Sequence, residues 1–368
     1  MSDNLIRYYA IRDALKRLRA TEPKGNLARH LQTTAHLVSG IVGSKKCHLP
    51  AIACKAPDAR LPETRVMRFR RWLANERIDQ ATYYLPYIAA FLQNLLEGAL
   101  VLVIDTSPLG RGCLAVVVSV LYQKRAIPIC WTVVVGKKGH LSEQTHLALL
   151  RQAAQVVPRD RTVIFLGDGE FNGIDLLGLI AQLGWHFVCR VPKNTVFHDA
   201  SQWYSLSWFP LQQGDRHELE DVLYTERGFG PLLLVAVWQE TAKQPLCLVS
   251  NLEFLDEALL WYQKRFTIET FFSDQKSRGF HLAHSHLSSP RRLERLLIAC
   301  CLAYLWVVCL GARVVLKGWL PKIHRADRCD LSLFQIGLLW MEYCLNEGLP
   351  VPVPLLIRHG CPDRKSVR

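Results

Sequence analysis

The 368-residue chain lacks several features that mark secreted, repetitive or disordered proteins. Its N-terminus, "MSDNLIRYYAIRDALKRLRA", has no apolar core of the kind a signal peptide carries. No internal repeat or low-complexity segment is present, and a hydrophobic content of 50% excludes wholesale disorder. The 12 cysteines form no CxxC pair, so we interpret them as reduced thiols of a cytoplasmic protein.

The longest apolar run is slightly short for a membrane span. The most membrane-like stretch, residues 296–312, contains 17 residues. A transmembrane helix needs about 20 residues to cross the hydrocarbon core. We therefore predict a buried core helix and no membrane association. A membrane protein is the alternative, and soluble expression without detergent would exclude it.

Positive charge is abundant and unevenly distributed. The chain has 45 Lys and Arg against 32 Asp and Glu, a formal net charge of +13. Residues 1–95 hold 16 of these bases against 7 acids, so most of the excess lies in the first quarter of the chain. Such an excess indicates a polyanionic partner, and charge alone does not distinguish nucleic acid from an anionic membrane.

The basic first quarter has a mostly helical pattern. Two apolar segments meet around Thr33 and Thr34, which suits a helix-turn-helix-like unit. In "RVMRFRRWLANER", Arg68, Arg70 and Arg71 lie close together, and we predict that they contact DNA. A solvated helix face is the alternative interpretation of this arginine cluster.

From residue 98 the pattern changes to three consecutive β-rich runs, followed by alternating helices and strands. This order predicts an α/β fold with a ribonuclease H-like catalytic core, in which helices flank a mixed sheet. A β-rich insertion and a helical N-terminal domain complete the prediction. The expected divisions are a helical basic region at 1–95, the core at 96–193 and 251–315, the insertion at 194–250, and a helical C-terminal region with a tail at 316–368.

Two of the predicted core strands end in an aspartate. Asp105 closes "VLVID" and Asp168 closes "TVIFLGD", at the sheet edge where ligands usually gather. Either aspartate alone is equally well explained as a turn residue, and Glu170 replaces Asp168 if the strand register shifts. Together with Glu269 on a later helix, the two aspartates would offer hard oxygen ligands to two Mg²⁺ ions.

Glu269 lies in "WYQKRFTIETFFSDQK", residues 261–276. On one continuous helix, Tyr262, Arg265, Glu269 and Lys276 share a narrow stripe. The simplest interpretation is a solvated face on which Arg265 and Glu269 form an i, i+4 salt bridge. The upstream aspartates favour a second interpretation, in which the stripe is an active-site face.

The spacing Tyr262-x2-Arg265-x3-Glu269-x6-Lys276 resembles the YREK signature of cut-and-paste DD-E transposases from bacterial insertion sequences. "VIDTSP" and "LGDGEF" resemble the first and second acidic motifs of that family. The resemblance covers roughly residues 95–340; Phe266 departs from it, because many relatives carry Trp there.

The resemblance implies that Asp105, Asp168 and Glu269 are the catalytic, metal-binding triad, with Mg²⁺ as cofactor and Mn²⁺ as its substitute. Arg265 and Lys276 would bind DNA phosphates, and Tyr262 would position a strand end. The implied partners are terminal inverted repeats and target DNA, held by a homodimer on paired ends. The implied location is the bacterial cytoplasm, in association with the nucleoid.

Two further basic segments are candidate DNA contacts. Arg190 and Lys193 follow a strand on the expected catalytic edge, and Lys137 with Lys138 precedes a helix. For the second segment an ordinary basic loop is the better explanation, and a phosphate site at the helix N-terminus is the alternative. Two alternatives to an active transposase remain: a non-catalytic DNA-binding relative, and a two-metal nuclease that cuts without joining.

Overall fold

The structure of the chain is a computed structural model that describes residues 1–19, 22–95, 98–199, 201–325 and 329–352. The helices are α1 Asp3–Arg17, α2 Gly25–Ser44, α3 Leu49–Lys55, α4 Pro62–Ala74, α5 Gln80–Tyr83, α6 Leu85–Gln93, α7 Glu143–Ala154, α8 Ile174–Gln182, α9 Leu255–Gln263, α10 Ile268–Gln275, α11 Pro290–Leu316 and α12 Leu333–Asn346. The strands are β1 Leu100–Gly110, β2 Cys113–Tyr122, β3 Arg125–Val135, β4 Val163–Gly167, β5 His186–Arg190, β6 Val196–Asp199, β7 Gln202–Ser205, β8 Arg216–Tyr224, β9 Phe229–Val237 and β10 Leu246–Ser250. The last 16 residues of the predicted C-terminal region lie outside the described residues.

One mixed sheet organises the fold, with the strand order β3-β2-β1-β4-β5-β10-β9-β8-β6-β7. Strands β1, β2 and β3 form an antiparallel meander, and β4 and β5 then run parallel to β1. An antiparallel meander followed by parallel strands is the arrangement expected of a ribonuclease H-like core. The structure confirms the predicted fold class.

The central strands are apolar because both faces of the sheet are covered. In β2, nine of the ten residues are buried, and every residue of β4 is buried. Helices α6, α7, α10 and α11 pack against β3, while α8 and α9 pack against β5. Strands covered on both faces read as continuous hydrophobic runs rather than as alternating ones. This explains why the sequence shows these strands as continuous apolar runs.

The strands of the predicted insertion continue the same sheet. Strand β10 pairs with β5 through Val249↔Cys189, and β9 then pairs with β10. Strands β6, β7 and β8 lie beyond β9. The segment expected to be an insertion therefore extends the core sheet edge to edge, and its last strand is the direct neighbour of β5.

The basic N-terminal helices pack on the long helix α11. Helices α2 and α4 both contact it, and the buried Sγ atoms of Cys47 and Cys300 lie 3.3 Å apart. The expected break around Thr33 and Thr34 is wrong, because α2 is one helix from Gly25 to Ser44. Both threonine hydroxyls donate to carbonyls one turn earlier, at 3.0 and 2.9 Å, and so fit inside the helix.

Helix α11 is the predicted core helix. All of residues 296–312 are buried, and 89% of its most apolar window lies inside the protein. By length and composition alone this helix is also long and apolar enough to cross a membrane. Its burial against α2, α12 and β3 explains the run by internal packing.

The segment 261–276 is not one continuous helix, contrary to expectation. Helix α9 ends at Gln263, residues 264–267 form a 3-10 turn, and α10 spans Ile268–Gln275. A 3-10 turn has about three residues per turn, so it changes the angular positions of the residues that follow. Tyr262 and Arg265 are buried whereas Glu269 is exposed, so the four signature residues do not share one stripe.

Candidate active site

The two aspartates that the sequence singled out lie on neighbouring strands. Strands β1 and β4 pair in parallel up to Val103↔Leu166. The same register, continued by two residues, brings Asp105 opposite Asp168. Since side chains alternate along a strand, both carboxylates then lie on one face of the sheet, at a strand separation of about 4.8 Å. This register favours Asp168 over Glu170 as the partner of Asp105.

The sequence suggested that Asp105 ends its strand, but it does not. Strand β1 continues to Gly110 and stays paired with β2, through Asp105↔Val117 and Pro108↔Leu114. Only its pairing with β4 stops before Asp105. The Asp105 carboxylate is therefore held on a paired strand, with 8% of the side chain exposed.

Two cationic side chains approach the Asp105 carboxylate. Lys138 Nζ donates to Oδ1 at 2.9 Å, and Arg265 Nη1 lies 3.8 Å from Oδ2. The backbone N–H of Thr106 also donates to Oδ1, at 2.7 Å. Burial lowers the pKa of Lys138, but the hydrogen bond to Asp105 and the charges of Asp105, Asp168 and Glu170 outweigh it, so the pKa is raised. Asp105 thus lies in a compact region of alternating charge.

Lys276 reaches the same strand two residues further on. Its Nζ donates to Ser107 Oγ at 2.7 Å. Ser107 and Asp105 are two positions apart, so their side chains lie on the same face of β1. Burial and the charge of Lys138 lower the pKa of Lys276, and Asp105 opposes that shift. The segment 261–276 therefore packs across the acidic face of β1, although it is not one helix.

Arg265 is held by aromatic neighbours. Its guanidinium carbon lies 4.4 Å from the Phe266 ring centroid and 5.8 Å from that of Tyr262. Tyr262 is 3% exposed. Burial raises the pKa of its hydroxyl, and the charges of Arg265 and Arg190 oppose this effect. Tyr262, Arg265 and Arg190 therefore form one group on this side of the site.

Glu269 lies in the first turn of α10 and is exposed. Within the described ranges, the ion pair of Arg265 is with Asp105 and not with Glu269. No group of three or more His, Cys, Asp or Glu side chains among the described residues is arranged to hold a metal ion. Among the contacts of the described residues, none joins Glu269 to Asp105 or Asp168, so its place in the triad stays a prediction.

Glu170 is the other acid of this region. Both of its carboxylate oxygens are buried without a hydrogen-bond partner. Burial raises the pKa of Glu170. The Thr106 hydroxyl and the Gly139 backbone partly offset this rise, although neither is positioned to form a hydrogen bond with the carboxylate. Asp168 accepts from the Glu170 backbone N–H at 3.0 Å. Asp168 therefore also stabilises the turn after β4, which agrees with its alternative interpretation as a turn residue.

The remaining predicted DNA contacts differ in their exposure to solvent and in their existing ion pairs. Arg190, the last residue of β5, and Lys193, three residues beyond it, are exposed, and Lys193 Nζ lies 5.6 Å from the Trp238 ring centroid. Arg70 and Arg71 are exposed on α4. Arg68 instead pairs with Asp58 at 2.9 Å and stacks on Phe69, which is a structural role. Two of the three arginines thus face solvent.

Sequence reasoning did not assign Lys138 and Ser107 to the site. Ser107 was detectable, since it lies two residues after Asp105 and shares its strand face. Lys138 was considered only as a possible phosphate contact or part of an ordinary basic loop, and not as a partner of Asp105. Its position against Asp105 depends on the path of the segment between β3 and α7, which no local pattern encodes.

The fold and site together define a ribonuclease H-like protein with an acidic sheet edge covered by cationic side chains. A family model for the transposase DDE domain matches residues 109–306, more than half of the chain. The chain belongs to this family, and the protein is a DNA transposase. The matched range includes Asp168 and Glu269 and begins four residues after Asp105. Members of this family depend on divalent metal ions.

The search of curated proteins finds no match. Among solved structures, seven chains match. One belongs to a cryo-electron microscopy structure of the piggyBac transposase synaptic complex with hairpin DNA. That chain is 13% identical with a TM-score of 0.48, and the alignment covers 96% of this chain and 83% of that one.

Proposed function

We propose that this transposase uses Asp105, Asp168 and Glu269 to hydrolyse phosphodiester bonds at the ends of a DNA element, and that it then joins the freed 3′-hydroxyl to target DNA. The observation that carries the proposal is the parallel register of β1 and β4 up to Val103↔Leu166, which, continued by two residues, would set Asp105 beside Asp168. Arg265 and Lys276 contact the same face of β1, at Asp105 and Ser107.

Asp105 and Asp168 are donors of the kind that a divalent ion of the Mg²⁺ class binds. Asp105 and Asp168 offer hard carboxylate oxygens on adjacent strands, and Glu269 would complete the set from α10. Bound Mg²⁺, or Mn²⁺ in its place, would supply the charge that activates an attacking hydroxyl and stabilises the leaving oxygen. Two ions would be held by these three residues.

The neighbouring side chains suit the binding of a DNA strand. Arg265 provides a planar guanidinium for phosphate oxygens, and Lys276 provides a compact positive charge. Tyr262, next to Arg265, would position the strand end. Arg190 and Lys193 would extend the phosphate contacts along the exposed end of β5 and the residues that follow it.

The wider organisation follows the YREK resemblance. We assign the chain to the bacterial insertion-sequence type, acting in the cytoplasm on nucleoid DNA. The helical region 1–95 would bind terminal inverted repeats, with Arg70 and Arg71 as phosphate contacts and Arg68 mainly structural. Two copies would act together on paired ends. The divisions at 96–193, 194–250, 251–315 and 316–368 belong to the same proposal.

A cleavage assay with end DNA and Mg²⁺ tests the proposal. Asp105→Asn, Asp168→Asn and Glu269→Gln should each lower the cleavage rate by at least about 10³-fold, because each removes a charge needed in the transition state. Asp175→Asn is the matched control, since Asp175 is an exposed acid on α8 that pairs with Arg227. Cleavage at the wild-type rate by any of the three variants would remove that residue from the active site.

The products separate the remaining alternatives. A transposase converts a pre-cut 3′ end into a joined product with target DNA. A nuclease cuts the end DNA and leaves it unjoined. A protein that binds end DNA with salt-sensitive affinity and never cuts it at any Mg²⁺ concentration is a non-catalytic relative.

A further inference from the structure

Lys138 is bound to the carboxylate that we assign as a metal ligand, Asp105. Its ammonium group lies 2.9 Å from Asp105 Oδ1. The charges of Asp168 and Glu170 also attract it and favour its protonated form. Three carboxylates therefore act on one side-chain cation. We propose that Lys138 is a built-in competitor of the metal ion, which covers Asp105 until the metal displaces it. This inference rests on the proposed function of Asp105 as a ligand.

The two cations at Asp105 differ in how easily they can leave. Arg265 is 8% exposed, stacks on Phe266 and approaches Oδ2 only to 3.8 Å. The Lys138 side chain is 50% exposed and belongs to the segment between β3 and α7. Lys138 can therefore withdraw into solvent without opening the core, whereas Arg265 cannot.

The exchange is favourable in charge. A divalent ion brings twice the charge of an ammonium group to the same carboxylates, and carboxylate oxygen is its preferred ligand. Burial, and after it the charge of Lys138, lower the pKa of Lys276, so the two ammonium groups already share the field of Asp105. Withdrawal of Lys138 into solvent leaves Asp105 Oδ1 accessible to metal.

Calorimetric titration of Mn²⁺ into the full-length, DNA-free protein tests this competition. Lys138→Met should tighten Mn²⁺ binding by about tenfold, because a site covered most of the time binds with proportionally reduced affinity. Lys137→Met is the matched control: it removes an exposed neighbouring lysine and the same charge. If Lys138→Met tightens binding no more than Lys137→Met does, the competition does not exist.

The wild-type protein provides a second measurement that needs no substitution. Acetylation of lysines, followed by mass spectrometry, reports how free each ammonium group is. Saturating Mn²⁺ should raise the labelling rate of Lys138 several-fold and leave that of Lys137 unchanged. A Lys138 rate that Mn²⁺ leaves unchanged or lowers would contradict the proposal.

Asp105→Asn separates this inference from the proposed function. Its Mn²⁺ affinity should fall well below that of the wild type. Wild-type affinity in Asp105→Asn would overturn the metal-binding role of Asp105 itself. A loss of affinity in Asp105→Asn, combined with no gain in Lys138→Met, would overturn only the role of Lys138.

Discussion

Lys276 Nζ donates a 2.7 Å hydrogen bond to Ser107 Oγ, which connects the C-terminal end of α10 to the strand that carries Asp105. The bond is one of the contacts that hold α10 over β1. It also means that, without DNA, the lysine assigned to a phosphate is bound to a neutral hydroxyl. A phosphate would replace a neutral acceptor with a charged one, which is a stronger partner for an ammonium group.

Substitutions at the two ends of this bond should have different effects on DNA binding. Lys276→Met should weaken end-DNA binding and reduce the slope of log affinity against log salt by about one, as expected for one lost phosphate contact. Ser107→Ala should keep the wild-type slope, because the lysine stays available. Fluorescence anisotropy over a salt series measures both quantities.

The Ser107→Ala variant serves as the control for folding. Loss of one hydrogen bond should lower its free energy of unfolding by about 1 kcal/mol. If Lys276→Met leaves the salt slope at the wild-type value, Lys276 has a structural role at Ser107 and does not bind phosphate.

The fold was predictable because its central strands are simple in pattern. Continuous apolar runs such as "CLAVVVSV" in β2, followed by alternating strands and helices, indicate the ribonuclease H-like order directly. The 3-10 turn at 264–267 was not predictable, since apolar spacing does not distinguish it from a helix over four residues. The edge-to-edge continuation through β10 was also missed, because strand partners are non-local.

The neighbouring positions of Asp105 and Asp168 could be expected from the sequence, because paired parallel strands run to the same side of a sheet. Their catalytic role stays a prediction. The pairing of Arg265 with Asp105, instead of with Glu269, depends on how α9 and α10 pack on the sheet. Helical spacing within 261–276 contains no information about that packing.

The exposed arginines of α4 should contribute to DNA affinity without contributing to stability. Arg70→Ala combined with Arg71→Ala should reduce the salt slope of end-DNA binding by about two, one for each phosphate contact. Arg68→Ala should instead lower the melting temperature, because Arg68 pairs with Asp58 and stacks on Phe69. Anisotropy and thermal unfolding of the same preparations test this division, and an unchanged slope in the double variant would exclude α4 from the DNA interface.

A buried ion pair holds α10 against β3. The Asp274 carboxylate, 3% exposed, lies 3.0 Å from Arg125 Nη1 and 3.4 Å from the Tyr304 hydroxyl. Arg125→Met should lower the free energy of unfolding by about 3 kcal/mol, because it leaves a buried carboxylate without its cation. Arg227→Met, which breaks the exposed pair with Asp175, should cost at most about 1 kcal/mol. Urea unfolding of both variants measures the difference, and equal costs would show that Asp274 is not buried as described.

Two helical glycines should respond in opposite ways to alanine. A Cβ on Gly311 of α11 would lie 1.9 Å from the backbone oxygen of Leu333, at the start of α12. Gly311→Ala must therefore push α12 away from α11 and should lower the free energy of unfolding by about 3 kcal/mol.

A Cβ on Gly178 of α8 would meet only the Phe229 ring, at an ordinary 3.8 Å. Gly178→Ala should stabilise the protein by about 0.5–1 kcal/mol, because alanine loses less backbone entropy in a helix. Chemical denaturation of the two variants tests this contrast, and a neutral Gly311→Ala would mean that α11 and α12 do not approach each other backbone to backbone.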